Sequence, residues 1–145
     1  MKQIVWMVFL LVAASSCTNE SELWLERAET CMEADAACAY GCLQQIDPTS
    51  DELTDEERAK YALLRVQAMH KCRMPLSDDS LINVAVAYYQ AKGEKHSLAK
   101  ALLYKGLVHK QNRQVERAAA AFVASERNFA QVDDNQYKAL LSDHY

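Results

Sequence analysis

Glycine and proline are nearly missing from this chain, with 3 Gly and 2 Pro in 145 residues. A protein built from hairpins and sheets needs many tight turns, and those two residues supply most of them. Valine and isoleucine are sparse beyond the first dozen positions. No stretch alternates apolar and polar side chains with period two, so half-buried strands have no pattern to support them. No basic block is present either. Acidic and basic residues are interspersed at a net charge of −4, which removes the electrostatic footprint of a nucleic-acid binder and leaves the charges as solvated helix faces. What remains is an alanine-rich chain with 50% hydrophobic residues, long enough for one domain with a real core. The expected class is all-α.

Residues 1–16 stand apart from the rest. Lys2 gives a short positive start, and Ile4 to Ala14 is an uninterrupted apolar run of 11 residues containing Trp6 and Phe9. That is too short for a bilayer-spanning helix, which needs about 20 residues, but it suits the core of a secretory signal. Ala14, Ser15 and Ser16 then lead to Cys17. The arrangement resembles a bacterial lipoprotein signal peptide, with Ala14 where that family prefers leucine. The resemblance implies diacylglyceryl modification of Cys17 as the new N-terminus, a membrane anchor of several acyl chains, and a polar tether over residues 17–22. Thr18 after the cysteine, by similarity to lipoprotein sorting, implies the outer membrane. The bland alternative is an ordinary cleaved signal followed by a chance cysteine.

From residue 23 onward the periodicity is helical. Leu23–Glu33 places Leu25, Ala28 and Met32 on one side, with Trp24 and Cys31 beside them. Asp35 is a cap for Ala36–Ile46, whose inward residues would be Ala36, Tyr40 and Leu43, and Asp47-Pro48-Thr49-Ser50 ends it. Thr54 to Glu57 has the capping-box spacing and opens a helix to about Lys71 through Tyr61, Leu64 and Ala68. Arg73 to Ser77 is a loop. Ser77 or Asp78 caps a helix carrying Leu81, Ile82, Ala85, Tyr88 and Tyr89, stopped by Gly93. Two helices fill Leu98–Phe129, and a last one spans Asn135–Tyr145. Seven helices result, paired as consecutive hairpins, with no linker long enough to divide residues 23–145 into domains.

The segment Leu98–Phe129 carries the clearest pattern. Leu98, Leu102, Gly106 and His109 share one face of its first helix; Val115, Ala118 or Ala119, Phe122, Ser125 and Phe129 share one face of its second. Asn112 falls at the junction, where a left-handed residue is common. A mid-helix glycine costs about 1 kcal/mol relative to alanine, so Gly106 predicts close packing against Ala118 and Phe122. Leu102, Gly106, His109, Ala118, Phe122 and Ser125 together resemble a tetratricopeptide repeat, with Lys105 in place of the usual leucine and no closing proline. The resemblance implies a TPR-like solenoid of stacked antiparallel hairpins that binds proteins and does not catalyse.

The wider chain is similar to envelope lipoproteins of Bacteroides-type bacteria, through Leu43–Lys71 (LQQIDPTSDELTDEERAKYALLRVQAMHK) and Ser77–Gly106 (SDDSLINVAVAYYQAKGEKHSLAKALLYKG). In that group such segments precede further repeats, and some members continue into a membrane helix and a cytoplasmic DNA-binding module. The leading expectation is a lipid-anchored protein–protein interaction module facing an envelope protein or peptide. The alternative is the truncated sensory part of a membrane-associated signalling protein. Leu140, Leu141 and Tyr145 form an apolar stripe with no following helix, which predicts a chain incomplete at its C-terminus.

Chemical candidates are few. Cys38 and Cys42 lie one turn apart, and Cys31 lies on the partner helix, so an exported chain has a candidate disulfide from Cys31 to either one. Buried free thiols are the other reading, and the spacing fits no paired C-x2-4-C zinc pattern. His70, His96, His109 and His144 share no helix face at ligand spacing. Glu56 and Glu57 sit at a helix start, which explains them without acid–base catalysis. Tyr61, Tyr88, Tyr89 and Tyr104 are either core or the lining of a groove. No cofactor, metal or nucleic acid is expected, and no enzymatic activity.

Overall fold

The computed structural model describes residues 19–130, and every regular element among them is a helix. In chain order these are α1 (Glu20–Cys31), α2 (Ala36–Leu43), α3 (Asp55–Lys71), α4 (Ser80–Lys92), α5 (Lys95–Gln111) and α6 (Val115–Phe129). The signal segment expected at 1–16, Cys17 and the seventh helix expected at 135–145 lie outside the described residues.

Several helix ends follow from side chains within a few positions. The Thr54 hydroxyl accepts the Glu57 N–H at 3.2 Å, and the Glu57 carboxylate accepts the Thr54 N–H at 2.8 Å, completing the capping box. The other Glu57 oxygen accepts from the Asn19 side-chain amide at 3.2 Å, which ties the start of α1 to the start of α3. Asp35 caps α2 by accepting the Cys38 N–H at 3.0 Å. At α4 the helix begins at Ser80, and Asp78 accepts that residue's N–H at 2.8 Å as well as its hydroxyl. Those two bonds, the hydroxyl's first, hold the Asp78 carboxyl below the ordinary carboxylate range.

Helices α3, α4 and α5 end alike. Arg73 (φ 56°), Gly93 (φ 72°) and Arg113 (φ 59°) are left-handed. The next N–H reaches back across the turn in each case: Met74 to Met69 at 2.9 Å, Glu94 to Tyr89 at 3.1 Å, Gln114 to His109 at 2.9 Å. This is the Schellman closure. Gly93 stops α4 as its sequence predicts. Asn112 is not the left-handed residue of α5, having φ −85°; Arg113 takes that role one position later. The Asn112 amide is committed elsewhere, donating to Val108 O at 2.9 Å and Leu76 O at 2.7 Å. With Gln111, whose amide oxygen accepts the Leu76 N–H at 2.6 Å, it fastens the loop before α4 onto the end of α5.

Each helix packs on its successor, and the odd-numbered helices also meet side by side, α1 on α3 and α3 on α5. Two apolar clusters result. One joins α1, α2 and α3 through Leu25, Ala28, Met32, Ala39, Leu43, Tyr61 and Leu64. The other joins α3 to α6 through Ala62, Val66, Ile82, Leu103, Leu107, Phe122 and Phe129. Helix α3 feeds both, so it is as central as the 98–129 pair. The loop between α2 and α3 buries Ile46 and Leu53. Arg58 holds it down, donating to the carbonyls of Pro48, Ser50 and Leu53 at 3.3, 2.8 and 3.3 Å.

Some face assignments change. In α2 the buried pair is Ala39 and Leu43, while Ala36 and Tyr40 are half-buried; the Tyr40 ring lies under the Arg65 guanidinium at 4.0 Å. In α6, Val115 is 74% exposed and Ala119 is exposed, leaving Ala118, Ala121, Phe122, Ser125 and Phe129 as the inward residues. The inward stripe is set by where α5 lies, and it excludes the first residue of the helix.

Burial, reinforced by the charges of Glu94 and Glu56, pushes the Tyr89 phenol from 10.0 up to about 12. The folded chain therefore holds this proton to higher pH than the unfolded chain does. The associated stability is fully present below pH 10 and is lost as pH rises from about 10 to about 12. Melting curves across that window should fall for wild type and fall less steeply for Tyr89→Phe. Superimposable pH profiles for the two proteins would show that Tyr89 does not titrate this way.

Candidate functional site

The six residues with the repeat-like spacing fall at the crossing of α5 and α6. Gly106 faces Phe122 so closely that a Cβ there would lie no more than 3.0 Å from three atoms of the ring. Ser125 is fully buried and its hydroxyl donates to Ala99 O at 2.7 Å, stitching α6 to the first turns of α5. Ala118 is buried beside Phe122. His109 is 4% exposed, with Nδ1 2.7 Å from Gln114 Oε1 and Nε2 3.5 Å from Asp79 Oδ2. Lys105, on the same helix, extends its ammonium to 3.9 Å from the same Asp79 oxygen. Leu102 is only half-buried. It lies at the edge of a groove of about 400 Å³ shared with Lys105, His109, Arg117, Ala121 and Ala124. Asp79 and Gln114 escaped the sequence reading. Asp79 is 30 positions from His109 along the chain, too far for helical spacing to relate them.

On the side where α1, α3 and α5 meet lies a second cleft, of about 240 Å³, lined by Glu29, Lys60, Leu64, Tyr89, His96, Ser97 and Lys100 among others. Lys60 there pairs with Glu29 at 2.7 Å, and nearby Lys71 pairs with Glu33 at 2.8 Å. Burial pushes the Lys100 ammonium below the ordinary lysine range, with Glu29 and Glu33 acting in the opposite direction. Gln67, 2% exposed, donates to Glu33 Oε1 at 3.4 Å. Its own amide oxygen has no hydrogen-bond partner among the described residues.

Of the tyrosines, Tyr61 and Tyr104 belong to the core, Tyr104 meeting the His70 ring edge-on at 6.0 Å. Tyr89 is buried and borders the cleft, and Tyr88 is half-buried beneath Lys92. Glu57 is engaged by the capping box and by Asn19. The histidines are dispersed: His109 at the α5–α6 crossing, His96 in the cleft, His70 against Tyr104, and His144 outside the described residues. Three cysteines do come together. Cys31 ends α1, Cys38 lies in the first turn of α2, and their sulfurs are 2.8 Å apart; Cys42 follows one turn later. All three are free thiols. Among the described residues no three His, Cys, Asp or Glu side chains are placed to hold a metal ion, and no helix is long and apolar enough to cross a membrane. No protein family, curated protein or solved structure matches the chain.

Proposed function

We propose that this chain is a lipid-anchored protein–protein interaction module of the bacterial cell envelope, built as a TPR-like array of helical hairpins. The observation that carries the reading is the order of packing. Helices pair α1 with α2, α3 with α4 and α5 with α6, and the leading helix of each pair lies beside the next leading helix. A hairpin array has that order, and it leaves the α1–α3–α5 side as one continuous face. The cleft there combines apolar walls from Leu63 and Leu64 with the Lys60–Glu29 ion pair, a surface suited to an extended peptide or protein segment. The anchor is argued from Ala14-Ser15-Ser16-Cys17, with the outer membrane as its location by similarity to lipoprotein sorting.

Fatty-acid labelling in cells tests the anchor. Wild type should take up label and partition into the detergent phase, and Cys17→Ala should lose both. Unlabelled wild type would refute the anchor. A photo-crosslinker at Ser97, in the cleft, should capture an envelope protein that the same probe at Arg113 does not. Equal capture from both positions would refute the cleft as the binding face.

A further inference from the structure

We propose that Cys31, Cys38 and Cys42 form a thiol–disulfide exchange site at the closed end of the α1–α2 hairpin, taking an external disulfide as its oxidant. The turn between the helices is short, and the cap that Asp35 places on the Cys38 N–H fixes the third residue of α2 against the last residue of α1. This holds the two sulfurs within direct contact, 2.8 Å apart, with Cys38 exposed and Cys31 half-buried. Cys42 follows Cys38 one turn along α2, on the same side of the helix. Three mutually close thiols, one open to solvent, are more than a staple needs.

The chemistry balances with a disulfide RSSR as oxidant. The Cys38 thiolate attacks one sulfur of RSSR and displaces RS⁻, which takes up a proton. Cys31 then gives up its proton, and its sulfur attacks Cys38 Sγ, breaking the Cys38–SR bond and releasing the second RS⁻. The chain gains one S–S bond and loses two thiol protons; the two electrons end in two RSH molecules. The roles follow from position. Cys38 is the most exposed of the three. Cys31 is pushed up to about 11, first by its hydrogen bond with Cys38, then by desolvation and by negative charge on Cys38, Cys42 and Asp35. Once Cys38 is in a mixed disulfide, that hydrogen bond and that charge are gone, so Cys31 is freed to act as the resolving thiol. Burial raises Cys42 as well, while the Arg27 charge opposes this. Cys42 is thus a reserve thiol that can exchange into the bridge.

The site does not depend on where the chain resides, so it can be tested in solution. The full chain is equilibrated with excess oxidised glutathione, quenched by alkylation and mapped by mass spectrometry. The peptides carrying Cys31 and Cys38 should be recovered joined, with the loss of two hydrogens, and Cys72 should stay outside the bridge. Cys38→Ser should lose that bridge and show Cys31 joined to Cys42 instead. Recovery of Cys31 and Cys38 as alkylated thiols, or as separate glutathione adducts, would overturn the exchange site. Absence of the Cys31–Cys42 link in the variant would overturn the role assigned to Cys42.

Discussion

Replacing Phe129 with alanine should lower the unfolding free energy by about 3–5 kcal/mol, the range for deleting a core aromatic ring. Phe129 is 1% exposed, although it is the last residue of α6. Helix ends usually fray, yet this ring is held in the α3–α6 cluster and meets the His96 ring edge-on at 6.3 Å. It pins the end of α6 to the beginning of α5, beside the Ser125–Ala99 hydrogen bond. A domain of this size is stable by about 5–15 kcal/mol in total, so the loss would take a large share of it. Val123→Ala, on the same helix at 40% exposure, should cost well under half as much. Urea titrations of the two variants decide the point: a Phe129→Ala cost no greater than that of Val123→Ala would mean that α6 is not packed as described.

Gly106→Leu should destabilise the chain by about 1–3 kcal/mol or more through overpacking, and even Gly106→Ala should be unfavourable. In an exposed helix interior, glycine to alanine gains about 1 kcal/mol. Here the added methyl would fall on the Phe122 ring, which is itself 5% exposed and part of the same buried cluster as Leu103, Leu107 and Ala118. A buried ring in a packed core cannot swing aside as a surface side chain can, so the steric penalty outweighs the propensity gain. Phe122→Ala alone should cost about 3–5 kcal/mol. Combined with Gly106→Ala it should cost less than the sum, because the methyl partly refills the vacated space, with a coupling of about 0.5–3 kcal/mol. Strict additivity in this cycle, measured by thermal or urea unfolding, would show that the two positions do not touch.

Legible from the residues alone are the helical class, the capping box at Thr54 and Glu57, the cap at Asp35, the stop at Gly93 and the meeting of Gly106 with Phe122. Each is a matter of residues within four or five positions of one another, or of two helices joined by a short turn, so local chemistry is enough to specify it. The tertiary structure decided the rest. It turned Val115 and Ala119 outward, and it gave the left-handed position to Arg113 because Asn112 is bonded to the loop before α4. It set Asp79 and Gln114 around His109, made α3 the helix that two cores share, buried Gln67 without satisfying its oxygen, and placed Cys38 in contact with Cys31 where the sequence left Cys38 and Cys42 both open. Helical periodicity states which residues share a face. It does not state which neighbour covers that face, or how far along the helix the cover extends. Those depend on side chains tens of positions away, whose approach is fixed only when all the helices pack together.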